Sequence, residues 1–395
     1  MKTIKQLKSP FAFKAPKLSD DHKVERYFKS VPFYKPTELK EMKNLAKKLG
    51  VKELAVKDES SRFGINSFKG AGGLYAMGMC IAEKAGLDTD NLTYDDLMKP
   101  EVKEVAQKLT FYSATDGNHG RGIAWSASVL GTKAVIRMPK GSKQIRVEHI
   151  RKIQNTDVEI TDKNYDNTVK EVEQMCQADP NGIMIQDTAW EGYEKIPGWI
   201  IKGYGLIVDE FLYQMEDKPT HIFLQAGVGS LAAGIVLGLE ERMAPEELPV
   251  ITVVEPETVA CFYLSAEIGD GERHNLEGHT KTMMAGLNCQ TPSIAAWPIL
   301  RDSAKFYGTL SEDVDAQGMS VLAHPLADDP KVVSGESGAA GFAYIYEVLS
   351  NPELADKRKE LGIDENSRII VLSTEGDTDP DNYQEVVTDK RWLKD

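Results

Sequence analysis

Residues 57–73 read KDESSRFGINSFKGAGG. Lys69 follows a loop that holds Gly64 and opens a run with three more glycines, Gly70, Gly72 and Gly73. A solvated lysine beside a turn is the plain reading of such a stretch. The sharper reading is that the glycines let a planar or phosphorylated ligand approach the backbone while the amine reaches it. The residues just before, ELAVKD, read as a strand, so the motif lies where a strand ends. Ligands in open α/β sheets collect at the carboxyl ends of strands.

Working outward, the chain keeps a rhythm of strand, turn and helix. Upstream, residues 19–31 predict a short helix capped by Ser19. TELKEMKNLAKKL (37–49) predicts a second helix, with Thr37 as N-cap and Gly50 as stop, because Leu39, Met42, Leu45, Ala46 and Leu49 recur at helical spacing. Downstream, LTFYSA (109–114), KAVIRMP (133–139), DVEITD (157–162) and IMIQDT (183–188) form one block of strands separated by helical segments. HIFLQAG (221–227), PVITVVEP (249–256) and RIIVLST (368–374) form a second block. Short, β-branched, nearly continuous apolar strands alternating with helices mean parallel sheets covered on both faces. The expected fold class is therefore α/β: two open, mostly parallel twisted sheets with helices on both faces. The expected division is a large domain of 1–76 plus 196–395 and a small one of 77–195.

Composition narrows the function. The 395 residues carry 47 basic and 61 acidic side chains, a net charge of −14, which argues against a nucleic-acid groove. At 41 % hydrophobic and 27 % charged the chain reads as an ordinary soluble protein. No apolar run reaches the roughly 18 residues of a membrane helix. The N-terminal MKTIKQLKSPFAFKAPK interleaves lysines with apolar residues and does not read as a signal peptide. Cys80, Cys176, Cys261 and Cys289 lack CxxC spacing, which suggests a reducing, cytoplasmic setting and no zinc site.

Four further motifs lie at predicted strand ends. SATDGNHG (113–120) opens a helix with exposed N–H groups that suit a carboxylate, although an Asx-type turn capped by Asp116 is the plain alternative. QAGVGSLAAG (225–234) places Gly227, Gly229 and Ser230 between a strand and a helix, as a backbone does to hold a phosphate. It is neither a Walker motif nor GxGxxG, and alone it reads equally as tight strand–helix packing. SGESGAAG (334–341) carries Glu336 into a helix, and LSTEGDTD (372–379) is a polar strand end.

The order of these motifs resembles the fold type II, tryptophan-synthase-like family of pyridoxal-phosphate enzymes, over Tyr34 to about Asp379. The resemblance implies a cofactor in the cleft between the two domains, pyridoxal 5′-phosphate, and a homodimer. It implies that Lys69 forms the Schiff base, that Phe68 packs near the pyridine, and that Asn118 bonds the ring hydroxyl. Gly227, Val228, Gly229 and Ser230 would hold the phosphate. Ser373 or Thr374 would face the pyridine nitrogen, and Glu336 joins the cofactor contacts. Ser67 and Thr115 would contact a small amino-acid substrate.

Two departures sharpen the expectation. Dehydratases of the family carry S-A-G-N-H in the loop, where this chain has Thr115 and Asp116. A second aspartate, Asp187, ends a strand in QDTAWEGY (186–193). Two added carboxylates suit a substrate with a second ammonium group. With TMMAGLNC (282–289) and STEGDTDPD (373–381), the pattern resembles the diaminopropionate ammonia-lyases, which convert 2,3-diaminopropionate to pyruvate and two ammonia molecules. The resemblance implies catalytic roles for Lys69, Asp116 and Asp187, with Asp116 serving the D form and Asp187 the L form. A helix cap and a surface ion pair are the plain alternatives for the aspartates. His119 is expected to shape the asparagine loop, and Cys261 and Cys289 read as free thiols, with a disulfide as the alternative. Rival functions are a serine or threonine dehydratase and a non-catalytic binder of amino acid or cofactor on the same fold.

Overall fold

The structure is a computed structural model that describes residues 2–14, 22–115, 117–278 and 281–389. In chain order the strands are β1 (Ile4–Lys8), β2 (Glu38–Glu41), β3 (Glu53–Asp58), β4 (Thr110–Ala114), β5 (Lys133–Met138), β6 (Thr156–Ile160), β7 (Gly182–Met184), β8 (His221–Gln225), β9 (Val250–Pro256), β10 (Phe306–Leu310) and β11 (Arg368–Ser373). The chain divides into two compact units. One comprises Met1–Asp20, Thr37–Ser61 and Ile207–Asp395; the other comprises Asp21–Pro36 and Arg62–Leu206.

The first unit holds a seven-stranded sheet in the order β1-β10-β9-β8-β11-β3-β2. Its five inner strands run parallel, and β1 and β2 close the two edges antiparallel. The inner strands are short and apolar because both faces are covered, as parallel sheets require. Phe223, Ile369, Val371, Met319 and Tyr344 belong to one core cluster. The helix Glu336–Ser350 lies against this sheet, almost wholly buried.

The second unit holds a four-stranded parallel sheet in the order β6-β5-β4-β7. The helix Tyr165–Ala178 packs on it, and Lys69–Lys84 packs on Asn118–Leu130 and on Lys195–Gly203. The helix Lys69–Lys84 is buried from Gly70 to Ala82. Its approach to Asn118–Leu130 needs a glycine: a Cβ on Gly122 would sit 2.9 Å from the Lys69 carbonyl carbon. The short helix Lys23–Lys29 belongs to the same unit. Tyr27 is fully buried, its hydroxyl donates to the Leu74 carbonyl at 3.1 Å, and its ring lies against Gly78.

Three expectations differ from the structure. The predicted helix over 37–49 is a strand, β2, followed by a helix only at Lys43–Leu49, which Gly50 ends in the left-handed conformation. Pairing with β3 at the sheet edge overrides the helical spacing of Leu39 and Met42. Residues 21–36, 62–76 and 196–206, expected with the large domain, group with the smaller unit; the glycine-lined face of Lys69–Lys84 buries itself between two of that unit's helices, and Tyr27 packs on the same helix. The helix expected over 19–31 is Lys23–Lys29, and Ser19 lies outside the described residues. The four cysteines are free thiols. Among the described residues no helix is long and apolar enough to cross a membrane.

Candidate active site

In the smaller unit the chemistry gathers around Lys69. The chain reaches it through Phe63 and Asn66, both with left-handed backbones (φ 53° and 57°) on either side of Gly64 and Ile65. Non-glycine residues rarely adopt that conformation, and such strain collects at functional sites. The Phe63 ring is stacked on Trp125 at 4.4 Å, which helps hold the turn. Lys69 then opens its helix, and its Nζ lies 2.5 Å from Asp187 Oδ2 and 5.0 Å from the Phe68 ring centroid.

Asp187 follows β7 by three residues, on a segment tied down on every side. Ile185 N–H donates to the Tyr112 carbonyl at 2.8 Å, and His119 Nε2 donates to the Ile185 carbonyl at 2.8 Å. Gln186 N–H donates to the Tyr193 hydroxyl at 2.9 Å. The Gln186 side-chain oxygen accepts from Ser113 Oγ at 2.5 Å and from Ala114 N–H at 3.0 Å. Burial pushes the Asp187 carboxyl up, but the Lys69 charge, His119 and the Lys69 hydrogen bond outweigh it. They hold the group well below the usual carboxylate range. Asp187 is thus a carboxylate gripping an ammonium group in a buried place.

Of the other predicted residues here, Thr115 is buried, and its hydroxyl oxygen accepts from Gly117 N–H at 3.0 Å and Gly120 N–H at 3.2 Å. Asn118 is half-buried at the first position of its helix. Asp116 lies outside the described residues. Ser67 is fully buried, and among the described residues its hydroxyl has no hydrogen-bond partner. His119 does more than shape the loop: its Nδ1 lies 3.7 Å from Asp187 Oδ2.

The larger unit, taken by itself, holds a second group of predicted residues. Gly227, Val228 and Gly229 join β8 to the helix Ser230–Arg242. A Cβ on Gly227 would lie 2.8 Å from the Gly286 carbonyl oxygen. One on Gly229, whose φ is 92°, would lie 2.4 Å from the Phe262 ring. The loop therefore presents bare backbone at a helix N-terminus, where N–H groups and dipole favour an anion. Beside it, Gln225 at the end of β8 donates to the Ser337, Gly338 and Leu372 carbonyls at 3.2, 2.9 and 3.0 Å, and to Thr374 Oγ1 at 3.3 Å. Ser373 Oγ donates to Ser334 Oγ at 2.8 Å. Glu336 is buried and accepts from Asn382. Burial, with Glu375 next, raises its carboxyl above the ordinary value. Glu375 accepts from Ser337 N–H at 3.1 Å. Gln225 and Glu375 were not singled out in the sequence. The available signal was a glutamine inside an otherwise apolar strand.

Each group by itself suits a pyridoxal phosphate: in the smaller unit an amine stands at a glycine-rich helix start, and in the larger unit a loop offers N–H groups suited to a phosphate. Ser67 Oγ and Gln225 Oε1 are buried polar atoms without a hydrogen-bond partner among the described residues. A model of pyridoxal-phosphate dependent enzymes matches residues 31–374. The chain belongs to that family. Pyridoxal phosphate is its cofactor. Within the family, the chain is 43 % identical to the diaminopropionate ammonia-lyase of Salmonella typhimurium over 375 residues, 94 % of this chain and 92 % of the relative. It is 42 % identical to that of Escherichia coli K12, over 92 % of this chain and 89 % of the relative. Among solved structures, the Escherichia coli diaminopropionate ammonia lyase in complex with D-serine superposes with a TM-score of 0.90. It is 38 % identical and covers 99 % of this chain and 98 % of that one. The same enzyme with an aminoacrylate-PLP azomethine reaction intermediate gives a TM-score of 0.88 at 39 % identity, over 100 % and 99 %.

Proposed function

We propose that this pyridoxal-phosphate enzyme is a carbon–nitrogen lyase that converts 2,3-diaminopropionate, in both its D and L forms, and water into pyruvate and two molecules of ammonia. One observation carries the reading: the Asp187 carboxylate holds the Lys69 ammonium at 2.5 Å in a buried setting. The β-ammonium of diaminopropionate is the same chemical group as the lysine ammonium that Asp187 grips. A hydroxy amino acid offers no such group.

Lys69 is the residue that would carry the cofactor, with Phe68 against its ring, Asn118 at its ring hydroxyl and Gly227–Ser230 around its phosphate. Glu336 and either Ser373 or Thr374 complete that set. When bound, pyridoxal phosphate supplies the electron sink that acidifies the α-hydrogen of an amino acid. The protein moves the protons. Asp187 and Asp116 are the bases that take the α-hydrogen, Asp187 from the L form and Asp116 from the D form. A carboxylate beside the β-nitrogen keeps it an ammonium, and an amine leaves readily only in that form. Ser67 and Thr115 contact the substrate. A cytoplasmic homodimer completes the reading, and four free thiols suit a reducing compartment.

The test is turnover of both enantiomers by the purified enzyme, with pyruvate and ammonia appearing in a ratio of about one to two. Asp187→Asn and Asp116→Asn should each keep the cofactor and lose roughly 10²–10⁴-fold in rate, unequally on the two enantiomers. Selective conversion of threonine to 2-oxobutyrate, with diaminopropionate untouched, would make the enzyme a dehydratase.

A further inference from the structure

Tyr204 is fully buried, and among the described residues its hydroxyl has no hydrogen-bond partner. An orphaned phenol in a core is costly, so its location matters. The ring lies over Gly72, where a Cβ would meet its Cε1 and Cζ at 2.7 and 2.8 Å. Gly72 is three residues beyond Lys69 and so on the same helix face. The Tyr204 ring also packs on Phe68 at 4.9 Å, and the Lys69 ammonium sits over that Phe68 ring. The Tyr204 ring and the Lys69 ammonium thus share the Phe68 ring as a neighbour, and the phenol lies within electrostatic reach of both Lys69 and Asp187. Burial pushes the phenol well above its ordinary value, Lys69 opposes this and Asp187 adds to it. At working pH it is a proton donor, never a base.

We propose that Tyr204 is a positioning residue for Asp187: its hydroxyl donates to the carboxylate whenever the Lys69 ammonium is not there to do so. This rests on the lyase reading, in which Lys69 is committed to the cofactor for part of each turnover. A buried carboxylate that loses its cationic partner needs another donor. Among the described residues, Lys69 and His119 act on the charge of Asp187, and Asp187 acts on Tyr193 and Tyr204. His119 Nε2 donates to the Ile185 carbonyl, and its Nδ1 lies 3.7 Å from Asp187 Oδ2, beyond hydrogen-bond reach. The Tyr193 hydroxyl donates to the Met184 carbonyl at 3.0 Å and accepts from Gln186. The Tyr204 hydroxyl proton has no acceptor among the described residues.

The test is a double-mutant cycle read by thermal unfolding of the full chain without added cofactor, so it does not depend on which substrate the enzyme takes. With Lys69 present, Tyr204→Phe should leave the melting midpoint unchanged or raise it, since it removes an unsatisfied hydroxyl. In a Lys69→Met background the same substitution should lower the midpoint by about 2–4 °C. Ser67→Ala, which removes another orphaned hydroxyl, should show no such dependence on Lys69. On the cofactor-loaded enzyme, Tyr204→Phe should shift the acid limb of kcat/KM to higher pH while the absorbance band is kept. Equal shifts of the midpoint in both backgrounds, or none in either, overturn the proposal. A normal cycle together with no diaminopropionate turnover would instead spare the positioning role and sink the lyase reading.

Discussion

At the residue scale, the proposed function converges on one amine and the carboxylate it meets. Borohydride reduction of the loaded enzyme followed by peptide mapping should place the cofactor on Lys69, and label on any other lysine would refute the assignment. Lys69→Ala should lower turnover by on the order of 10⁴–10⁶-fold. It should also destabilise the fold by about 3 kcal/mol, because Asp187 is left buried without its cation. Lys69 was legible in the sequence because glycines around an amine are a backbone requirement, and those show in the letters. The pairing of Lys69 with Asp187 was not legible. It joins residues 118 positions apart, and it depends on β7 lying next to β4 in the sheet. His119 was read as a loop residue because its contact with Asp187 is made only in space. Tyr204 left no trace at all, since its signal is an unsatisfied hydroxyl.

At the scale of elements, β3 to β9 and β11 were legible as short apolar runs between helical segments. β1, β2 and β10 were not. β1 carries three of its residues in partial burial and pairs only with β10, so its letters IKQLK mix lysine with leucine. β2 looks helical by spacing and is held as a strand by β3. The glycine loop before Ser230 was legible as a motif, and packing demands its glycine: Gly229 faces Phe262 with a backbone that other residues resist. Gly229→Asp should weaken cofactor binding at least 100-fold, about 2.7 kcal/mol. Gly229→Ala, which clashes without adding charge, should lose less. Equilibrium dialysis of the cofactor decides it, and unchanged affinity in the Asp variant would remove the loop from the phosphate site.

At the scale of the whole molecule, buried carboxylates set how stability answers to pH. Glu255 is fully buried and accepts from the Phe262 and Tyr263 N–H groups at 2.8 and 2.7 Å. Burial pushes it up to about 8, against those hydrogen bonds. Asp315, buried with both oxygens lacking hydrogen-bond partners among the described residues, is raised in the same direction by burial and by Glu336 and Glu375. The native chain keeps these protons at pH values where the unfolded chain has released them. Their contribution is therefore fully present below about pH 4 and falls as pH rises, for Glu255 until about 8. Glu255→Gln, which imitates the protonated group, should flatten the fall of the melting midpoint between about pH 5 and pH 8. An unchanged slope would mean that Glu255 is ionised in the fold. Two-unit α/β architecture could be anticipated from the strand rhythm, whereas the assignment of 62–76 to the smaller unit depended on helix packing. That assignment has a consequence for synthesis. Tyr27 and Phe28 leave the ribosome about 50 residues ahead of Leu74 and Gly78, on which Tyr27 rests. A seven-residue helix does not persist alone in water. For roughly 3–10 s of translation the nascent chain carries two large aromatic side chains with nowhere to go, a window in which a chaperone has something to hold.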